Sequence, residues 1–471
     1  MIVQGGAQIS TASAKTSSGQ GGLLFVKASD SVQLIGTSTS ADNPTPSGLF
    51  ALGEGSGKPG DLTIETGLFI VRDGARASAS NLGSAQSGGR LSVTASELVQ
   101  LIGTSANSQD RSGLLVGSAG TGSAGELTIK TAKLQILDGA FVSARTVGEG
   151  RGGSVIVNAS DSIELNGTSA DGLPSLLTTE TAGVGDAGNL TIETGQLTIK
   201  DSAQITSSST GLGKAGDSKI QASSLSLNQG SITSQTTSGN GGNITLSVKD
   251  FLLLRRGSEI STTAGTDQKG GDGGNININS PFIVAVPKED SNISANAFTG
   301  RGGRVDIKAR SLFGIESWPH PTLLSDITAS SERGIAGVVE INTPDLDPSR
   351  GLIELPTNFV DSSTKIAQGC SNRGRQTASR FIATGRGGLP ESPNELLRGR
   401  AVLVPWVTLD STLGNHSQEV SASTVSSVTI EQPIIEAQKW VADGKGNIHL
   451  IAEVWANIPV AFSSPFTACA Q

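Results

Sequence analysis

The chain has no tyrosine and only two cysteines, and aromatic residues make up 3% of its 471 residues. A sequence with so few large side chains cannot fill a thick globular core, and its apolar residues are small aliphatics spread evenly along the chain. Charged residues are also scarce, at 16%, and the formal charge of −8 argues against nucleic acid as the main partner. Both cysteines lie in the last quarter, so disulfides do not hold the preceding part together.

Long apolar runs are missing as well, and the longest are short stretches such as Phe251–Leu254 and Phe282–Val286. The sequence therefore predicts no transmembrane helix, which needs about 18 or more apolar residues. Residues Met1–Ser10 have neither the basic head nor the apolar stretch of a secretory signal. They align with the middle of a later repeat, so we expect the sequence to be a fragment or a shortened form of a longer protein.

Glycine, by contrast, is abundant, with 62 residues, and it marks an internal repeat. Each unit has an opening glycine, a Leu/Ile-Thr alternation, a turn, a second alternation ending in Asp-Gly or Asp-Ser, and a Ser/Thr-rich segment. The opening glycines are Gly22, Gly60, Gly89, Gly125, Gly153, Gly188, Gly216, Gly242, Gly274, Gly303 and Gly337. Repetition at this spacing is typical of a solenoid.

One unit illustrates the predicted secondary structure. It contains three alternating segments, Leu62–Thr66, Phe69–Asp73 and a third from Arg76 to Asn81, and each is typical of a half-buried strand. We predict an all-β fold, a right-handed parallel β-helix with three short strands per coil over residues 1–356. Its ten or so coils would form a rod about 50 Å long. Glycine, asparagine and aspartate are expected at the corners, where positive φ is needed.

The competing folds for this region are a β-propeller and a two-sheet sandwich. A propeller needs longer, four-stranded blades with an aromatic signature, and a sandwich does not need near-identical segments such as those at Gly60, Gly125 and Gly188. Alternate coils also carry Gly-Thr-Ser, at Gly36, Gly103 and Gly167, followed by loops of variable sequence. This pattern predicts insertions at one corner of the solenoid.

Residues 357–471 differ in composition and carry the most specific resemblance. The segments KIAQGCSNRGRQTASRFIATGRGGLPESPNELL and IIEAQKWVADGKGNIHLIAE resemble the C-terminal region of the filamentous-haemagglutinin-like large exoproteins of cyanobacteria. The repeats, with their GNLTIETGQLTIKDSAQI phrase, resemble the bodies of the same proteins.

This resemblance implies a secreted or surface-attached β-helical stalk that serves adhesion. It implies export through a dedicated outer-membrane two-partner pore, and an extracellular or outer-surface location. The signal peptide and secretion domain that such a pore recognises are missing from this sequence, as expected of a truncated chain. A cell-surface or extracellular polysaccharide is the binding partner considered.

We expect residues 357–471 to cap the solenoid, because an uncovered solenoid end exposes unpaired strand edges. Segments Ala401–Val407 and Ile448–Val454 are predicted to supply its sheet. The predicted anchors are tryptophans, namely Trp406, Trp440 and Trp455. An arginine cluster, predicted either to bind anionic polysaccharide or lipid head groups or to pair with acidic neighbours, comprises Arg373, Arg375, Arg380, Arg386, Arg398 and Arg400.

The two cysteines of this region, Cys370 and Cys469, leave two alternatives. In an extracellular protein they are expected to form a disulfide, which would close a loop of about 100 residues and contribute up to ~4 to 5 kcal/mol in the chain-entropy model. The other alternative is a pair of free thiols.

Some parallel β-helices cut acidic polysaccharides, a reaction that needs clustered carboxylates. The candidate pairs are Asp345 with Asp347, which also suit a closing turn, and Asp267 with Asp272, which also suit a calcium loop. The histidines, which lack companions at ligand spacing and so do not predict a zinc site, are His320, His416 and His449. We predict a structural and adhesive protein with no catalytic residue, metal or cofactor. The alternative is a β-helical polysaccharide-processing enzyme.

Overall fold

Two parallel β-sheets dominate the chain in this computed structural model, which describes residues 1–39, 44–84 and 87–343 in full and 439–442 and 448–451 as backbone. The chain divides into two units, Met1–Phe359 and Val360–Gln471. The described part of the first unit is a β-solenoid of about 11 turns. This finding confirms the predicted all-β solenoid. The predicted domain boundary and most of the predicted cap lie outside the described residues.

The first sheet, here the long-strand sheet, receives one or two strands from each coil. In spatial order its strands are Ile2–Gln4, Ser31–Ile35, Leu62–Arg72, Arg90–Ile102, Glu126–Leu137, Ser154–Asn166, Leu190–Lys200, Ser218–Asn228, Ile244–Arg255, Ile276–Asn279, Arg304–Lys308 and Val338–Asn342. Leu24–Lys27 also pairs with Leu62–Arg72. Phe282–Ala285 pairs with Ile244–Arg255 and with Ser311–Phe313.

The second sheet, here the short-strand sheet, is built from strands of two or three residues. Its order is Gln8–Ser10, Gly48–Phe50, Arg76–Ser78, Gly113–Leu115, Phe141–Ser143, Leu176–Thr178, Gln204–Thr206, Ser231–Thr233, Glu259–Ser261, Asn292–Ser294, Asp326–Thr328 and Glu316–Ser317. A third ladder of single parallel bridges follows it, through residues such as Ser118, Thr146 and Thr181. One 3₁₀ helix, Pro287–Glu289, interrupts the described coils.

In the seven coils from Leu62–Arg72 to Ile244–Arg255, the first two predicted segments join into one strand, which differs from expectation. In the coils that begin at Gly22, Gly274 and Gly303 they remain two strands, as predicted. Leu62–Arg72 is continuous, but its register shifts between Thr66 and Leu68, and the buried positions change phase there. The Thr66 hydroxyl donates to the Leu68 carbonyl at 3.3 Å across this bend. A bulge therefore bends the strand without ending its backbone pairing, which is why one strand replaces two.

Aliphatic columns fill the interior, as the alternation predicted. Leu62, Leu127 and Leu190 are fully buried and lie in one column, linked through Leu91 and Val155 of the intervening coils. Each such leucine contributes roughly 1.5 to 3 kcal/mol by leaving water. The core is therefore a narrow one, repeated coil by coil, and nearly all of its buried apolar side chains are aliphatic.

Buried hydroxyls replace aliphatic groups in the middle coils. Thr179, Ser207, Ser218 and Ser234 are at most 1% exposed. The Ser218 hydroxyl lies 3.0 Å from that of Ser207 and 3.2 Å from that of Ser234, and the Thr179 hydroxyl lies 2.9 Å from that of Ser207. The hydrogen bonds between coils offset the cost of burying these polar groups.

Glu289 links two successive coils at a corner by accepting several hydrogen bonds, an arrangement here called the clamp. These bonds predict that the stability of the fold depends on pH. Glu289 accepts hydrogen bonds from Arg255 Nε and Nη2 and from the Arg256 amide, all at 2.8 Å. The Arg255 side chain, then the Arg256 amide, lowers the pKa of Glu289 to about 2. A lowered folded-state pKa means that this stabilisation is present above the unfolded pKa of about 4.3 and is lost as pH falls through about 2.

We therefore expect Glu289→Gln to lower the urea midpoint at pH 7 and to have much less effect at pH 2. The measurement is urea unfolding of both proteins at several pH values. Glu65→Gln is the control, since Glu65 forms one exposed ion pair, with Lys27 at 2.9 Å. An equal midpoint difference for Glu289→Gln at pH 7 and pH 2 would contradict the proposed clamp.

Candidate functional site

A groove runs along the solenoid beside the column of opening glycines. Stacked small residues form its floor. The floor residues are Pro59, Gly88-Gly89, Ala124-Gly125, Gly152-Gly153, Ala187-Gly188, Ala215-Gly216 and Gly241-Gly242. A Cβ built on Gly188 would lie 1.7 Å from the Gly153 carbonyl oxygen, and one on Gly216 would lie 1.8 Å from that of Gly188. The backbones approach too closely there for any side chain.

The opening glycines are needed for a different reason from the glycines and aspartates predicted at the corners. They form the expected column, but positive φ is found elsewhere, at the corner after the long strand, as in Asp73 and Gly74. The column needs glycine because of the close approach between coils. The predicted corner insertions are confirmed: Gly36, Gly103 and Gly167 have positive φ and precede the inserted loops.

Polar side chains border the floor on both sides and form two rails. The first rail precedes the floor in each coil and comprises Lys58, Ser87, Ser123, Arg151, Asp186, Lys214 and Asn240. The second rail follows the floor and comprises Asp61, Arg90, Glu126, Ser154, Asn189, Asp217 and Asn243. Because the coils stack in parallel register, residues separated by a whole repeat become neighbours along each rail.

Side-chain oxygens of the second rail tie successive coils together. Asn189 Oδ1 accepts the Asp217 amide at 3.0 Å, and Asp217 Oδ1 accepts the Asn243 amide at 2.9 Å. Asn243 Oδ1 in turn accepts the Asn275 amide at 3.0 Å. These bonds hold the rail side chains in fixed positions, so the groove presents an ordered row of polar groups.

The first rail carries alternating charge. Asp186 Oδ2 lies 3.0 Å from Arg151 Nη2, and its Oδ1 accepts the Lys214 amide at 3.0 Å. The Lys214 amide, and then Arg151, lower the pKa of the Asp186 carboxyl. On the other rail, Arg90 Nε lies 3.3 Å from Glu126 Oε1. Paired charges of this kind leave the groove polar but close to neutral.

The groove encloses about 950 Å³ and is open to solvent along its length. Its lining contains no aromatic side chain. Such a surface suits an extended polyhydroxylated or peptide-like ligand that hydrogen-bonds at many points, each contact contributing little. The rails were not predicted from the sequence, although the residues flanking the opening glycines carried the signal.

Of the two carboxylate pairs predicted as catalytic candidates, Asp267 with Asp272 lies in the described residues, and its members have separate partners. Asp267 pairs with Lys269 at 2.8 Å, whereas Asp272 Oδ1 accepts the Arg301 amide at 2.7 Å. Within residues 1–343, apart from the short gaps, no group of three or more histidine, cysteine or acidic side chains could hold a metal. His320 is exposed on a loop. Asp345 and Asp347 lie outside the described residues.

Most predicted sites of the C-terminal unit also lie outside the described residues. Strand Ile448–Ile451 pairs antiparallel with Lys439–Ala442, which contains Trp440, whereas the second predicted strand, 401–407, is not described. The undescribed positions are Cys370, Arg373, Arg375, Arg380, Arg386, Arg398, Arg400, Trp406, His416, Trp455 and Cys469. The disulfide, anion-contact and anchor predictions remain predictions.

The fold and the groove together define the class of this protein as a parallel β-solenoid with a polar axial groove. No helix in the described part of the chain is long and apolar enough to span a bilayer. No family model, curated protein or solved structure matches the chain.

Proposed function

We propose that this chain is the structural and adhesive part of a secreted or cell-surface protein of the filamentous-haemagglutinin-like type. The observation that carries the proposal is the pair of rails, which repeats the same polar positions in register over successive coils. A single rail contact is weak, but many in one row multiply into avidity. Carboxylates of the rails accept hydrogen bonds from backbone amides or pair with arginine. This structural use of the carboxylates supports a non-enzymatic role.

Export through a two-partner pore in the intact form is part of the same proposal, and it rests on the sequence resemblance. The fold is compatible with such a route, because each coil contacts only its neighbours. A solenoid can therefore fold progressively as successive coils emerge. The proposed ligand of the groove is a cell-surface or extracellular polysaccharide. The hydroxyl groups of such a chain match the groove's row of hydrogen-bond donors and acceptors.

A bulky side chain inside the groove should abolish adhesion. Ser154 lies on the second rail, whereas Ser160 is exposed at the bend of the same strand. We expect beads coated with the full chain to bind extracellular polysaccharide from the producing cells at least about 100-fold more tightly than the free chain, through avidity. Ser154→Trp should remove this retention and Ser160→Trp should preserve it. Equal retention of the two variants would exclude the groove as the adhesive site.

The surface location is checked in the same cells with an antibody against the chain. Labelling of intact cells supports display at the surface. Labelling that requires permeabilisation would contradict it, whatever the bead assay shows.

A further inference from the structure

A second concave site lies on the short-strand sheet and shares no lining residue with the groove. Its volume is about 380 Å³. Three arginines from three successive coils line it, Arg76, Arg111 and Arg145, and Glu180 is its one acidic lining residue. We call it the arginine pocket. Its apolar floor includes Phe141, Leu115 and Leu176, so positive charge surrounds an apolar surface.

Arg111 is held rigidly in this pocket. Its Nε donates to the Gly139 carbonyl at 2.6 Å, and its Nη2 donates to the Pro174 carbonyl. The guanidinium carbon lies 5.3 Å from the centre of the Phe141 ring, within cation–π range. A guanidinium has five N–H donors, of which these two bonds use two. Three donors therefore remain for a ligand, on a group that needs no reordering to bind it.

The protein compensates the positive charge of the pocket only in part. Arg76 pairs with Asp110 at 2.9 Å, but among the described residues no carboxylate forms an ion pair with Arg111 or Arg145. Burial, and then the neighbouring Arg76 charge, lower the pKa of the Arg111 guanidinium. Burial raises the pKa of the Glu180 carboxyl against the opposing effect of Arg145. An incoming anion would therefore be attracted to this half-buried cationic site.

The remaining lining narrows the class of ligand. Ser80, Ser143 and Thr178 supply hydroxyls beside the apolar floor. A sugar ring has an apolar face and polar edges, so it suits a floor of Phe141 and leucines with hydroxyls at the rim. A carboxylate on that ring would accept paired hydrogen bonds from a guanidinium, which is the geometry that arginine favours.

We propose that the arginine pocket binds a carboxylate-bearing sugar unit of an acidic polysaccharide. Arg111 and Arg145 bind the carboxylate and Phe141 contacts the ring. Arg76 adds positive charge and, through its Nε, donates to the Arg111 carbonyl at 3.2 Å. The proposal does not depend on surface display or on the groove, because it concerns a separate site on the purified chain.

The test is calorimetric titration of the full chain with an oligosaccharide of uronic acid units, beside a neutral oligosaccharide of the same length. We expect binding of the acidic probe alone. Arg145→Gln and Arg111→Gln should each weaken it about tenfold or more, the usual loss for a charge-assisted hydrogen bond. Arg145 is the safer variant for folding, because its side chain is exposed, whereas Arg111 also binds backbone carbonyls.

Arg333→Gln is the matched control, since Arg333 stacks on Phe298 at 5.0 Å but belongs to another coil and does not line the pocket. Its affinity for the acidic probe should equal that of the unmodified chain. Equal binding of the neutral probe would overturn the role of the anion. Binding of a sulfated probe alone would overturn the carboxylate assignment, and binding of an aromatic carboxylate with the same affinity would overturn the sugar assignment. No binding of the acidic probe, or equal loss in Arg333→Gln, would overturn the site.

Discussion

Replacing Gly188 by alanine should lower the free energy of unfolding by about 3 kcal/mol, at the upper end for overpacking. The added Cβ would lie 1.7 Å from the Gly153 carbonyl oxygen and 2.5 Å from its carbon. Both are backbone atoms, so no side-chain rotation can relieve the overlap. Gly188 also donates to the Thr179 carbonyl at 3.0 Å, which closes its coil, and a displaced backbone would weaken that bond.

The measurement is urea unfolding combined with hydrogen exchange, because coils of a solenoid can open separately and a single transition need not describe them. Gly270→Ala is the control, since the nearest atom to its added Cβ is Thr299 Oγ1 at 3.8 Å. We expect that variant to stay within about 0.5 kcal/mol of the unmodified chain. Faster exchange should be confined to the coils that meet at Gly188. Equal stability of the two variants would contradict the close approach of the coils.

Phe69→Ala should destabilise the chain by about 3 to 5 kcal/mol, the usual cost of removing a buried phenylalanine. Phe69 is the largest fully buried side chain among the described residues. It lies between Val32 and Val99 of the adjacent coils, so its loss leaves a cavity shared by three coils. Val32 and Val99 are held by backbone pairing in the long-strand sheet, so they cannot move far enough to fill it.

Phe251→Ala is the control, because the same substitution is made at an exposed phenylalanine. Phe251 is 41% exposed on the outer face, opposite Phe282, which is equally exposed. Loss of this cross-strand pair should cost no more than about 1 kcal/mol. Thermal and urea midpoints of both variants decide the matter: similar losses for the two phenylalanines would mean that Phe69 is not in the core.

The alternation of the sequence was sufficient to predict the strands and the interior columns. In Leu62–Arg72, the pattern identifies Leu62 and Ile64 as inward-facing, and both are fully buried. What it could not show is that the next segment continues the same strand. The phase change at Thr66 resembles a turn in a sequence, and only backbone pairing with the adjacent coil distinguishes a bulge from a break.

The binding surfaces were harder to predict than the fold. Rail residues such as Asn189 and Asp217 become neighbours through coil stacking, and their fixed position beside each opening glycine would have revealed them in a repeat alignment. The arginine pocket offers no such signal. Arg111 follows a corner loop of variable length, so its proximity to Arg76 and Phe141 depends on how that loop folds.

The repeated register between coils has a consequence for how such a chain changes over generations. Leu190 pairs with Val155 on one side and with Ser218 on the other, at corresponding positions of successive coils. A deletion in the gene that removes residues 188–215 would place Gly216 beside Gly153. Every later coil would keep its register with its neighbours. Duplication of the same segment would add a coil of about 4.8 Å. The length of the solenoid therefore changes by whole coils. Recombination between repeats can alter that length without changing how the core packs.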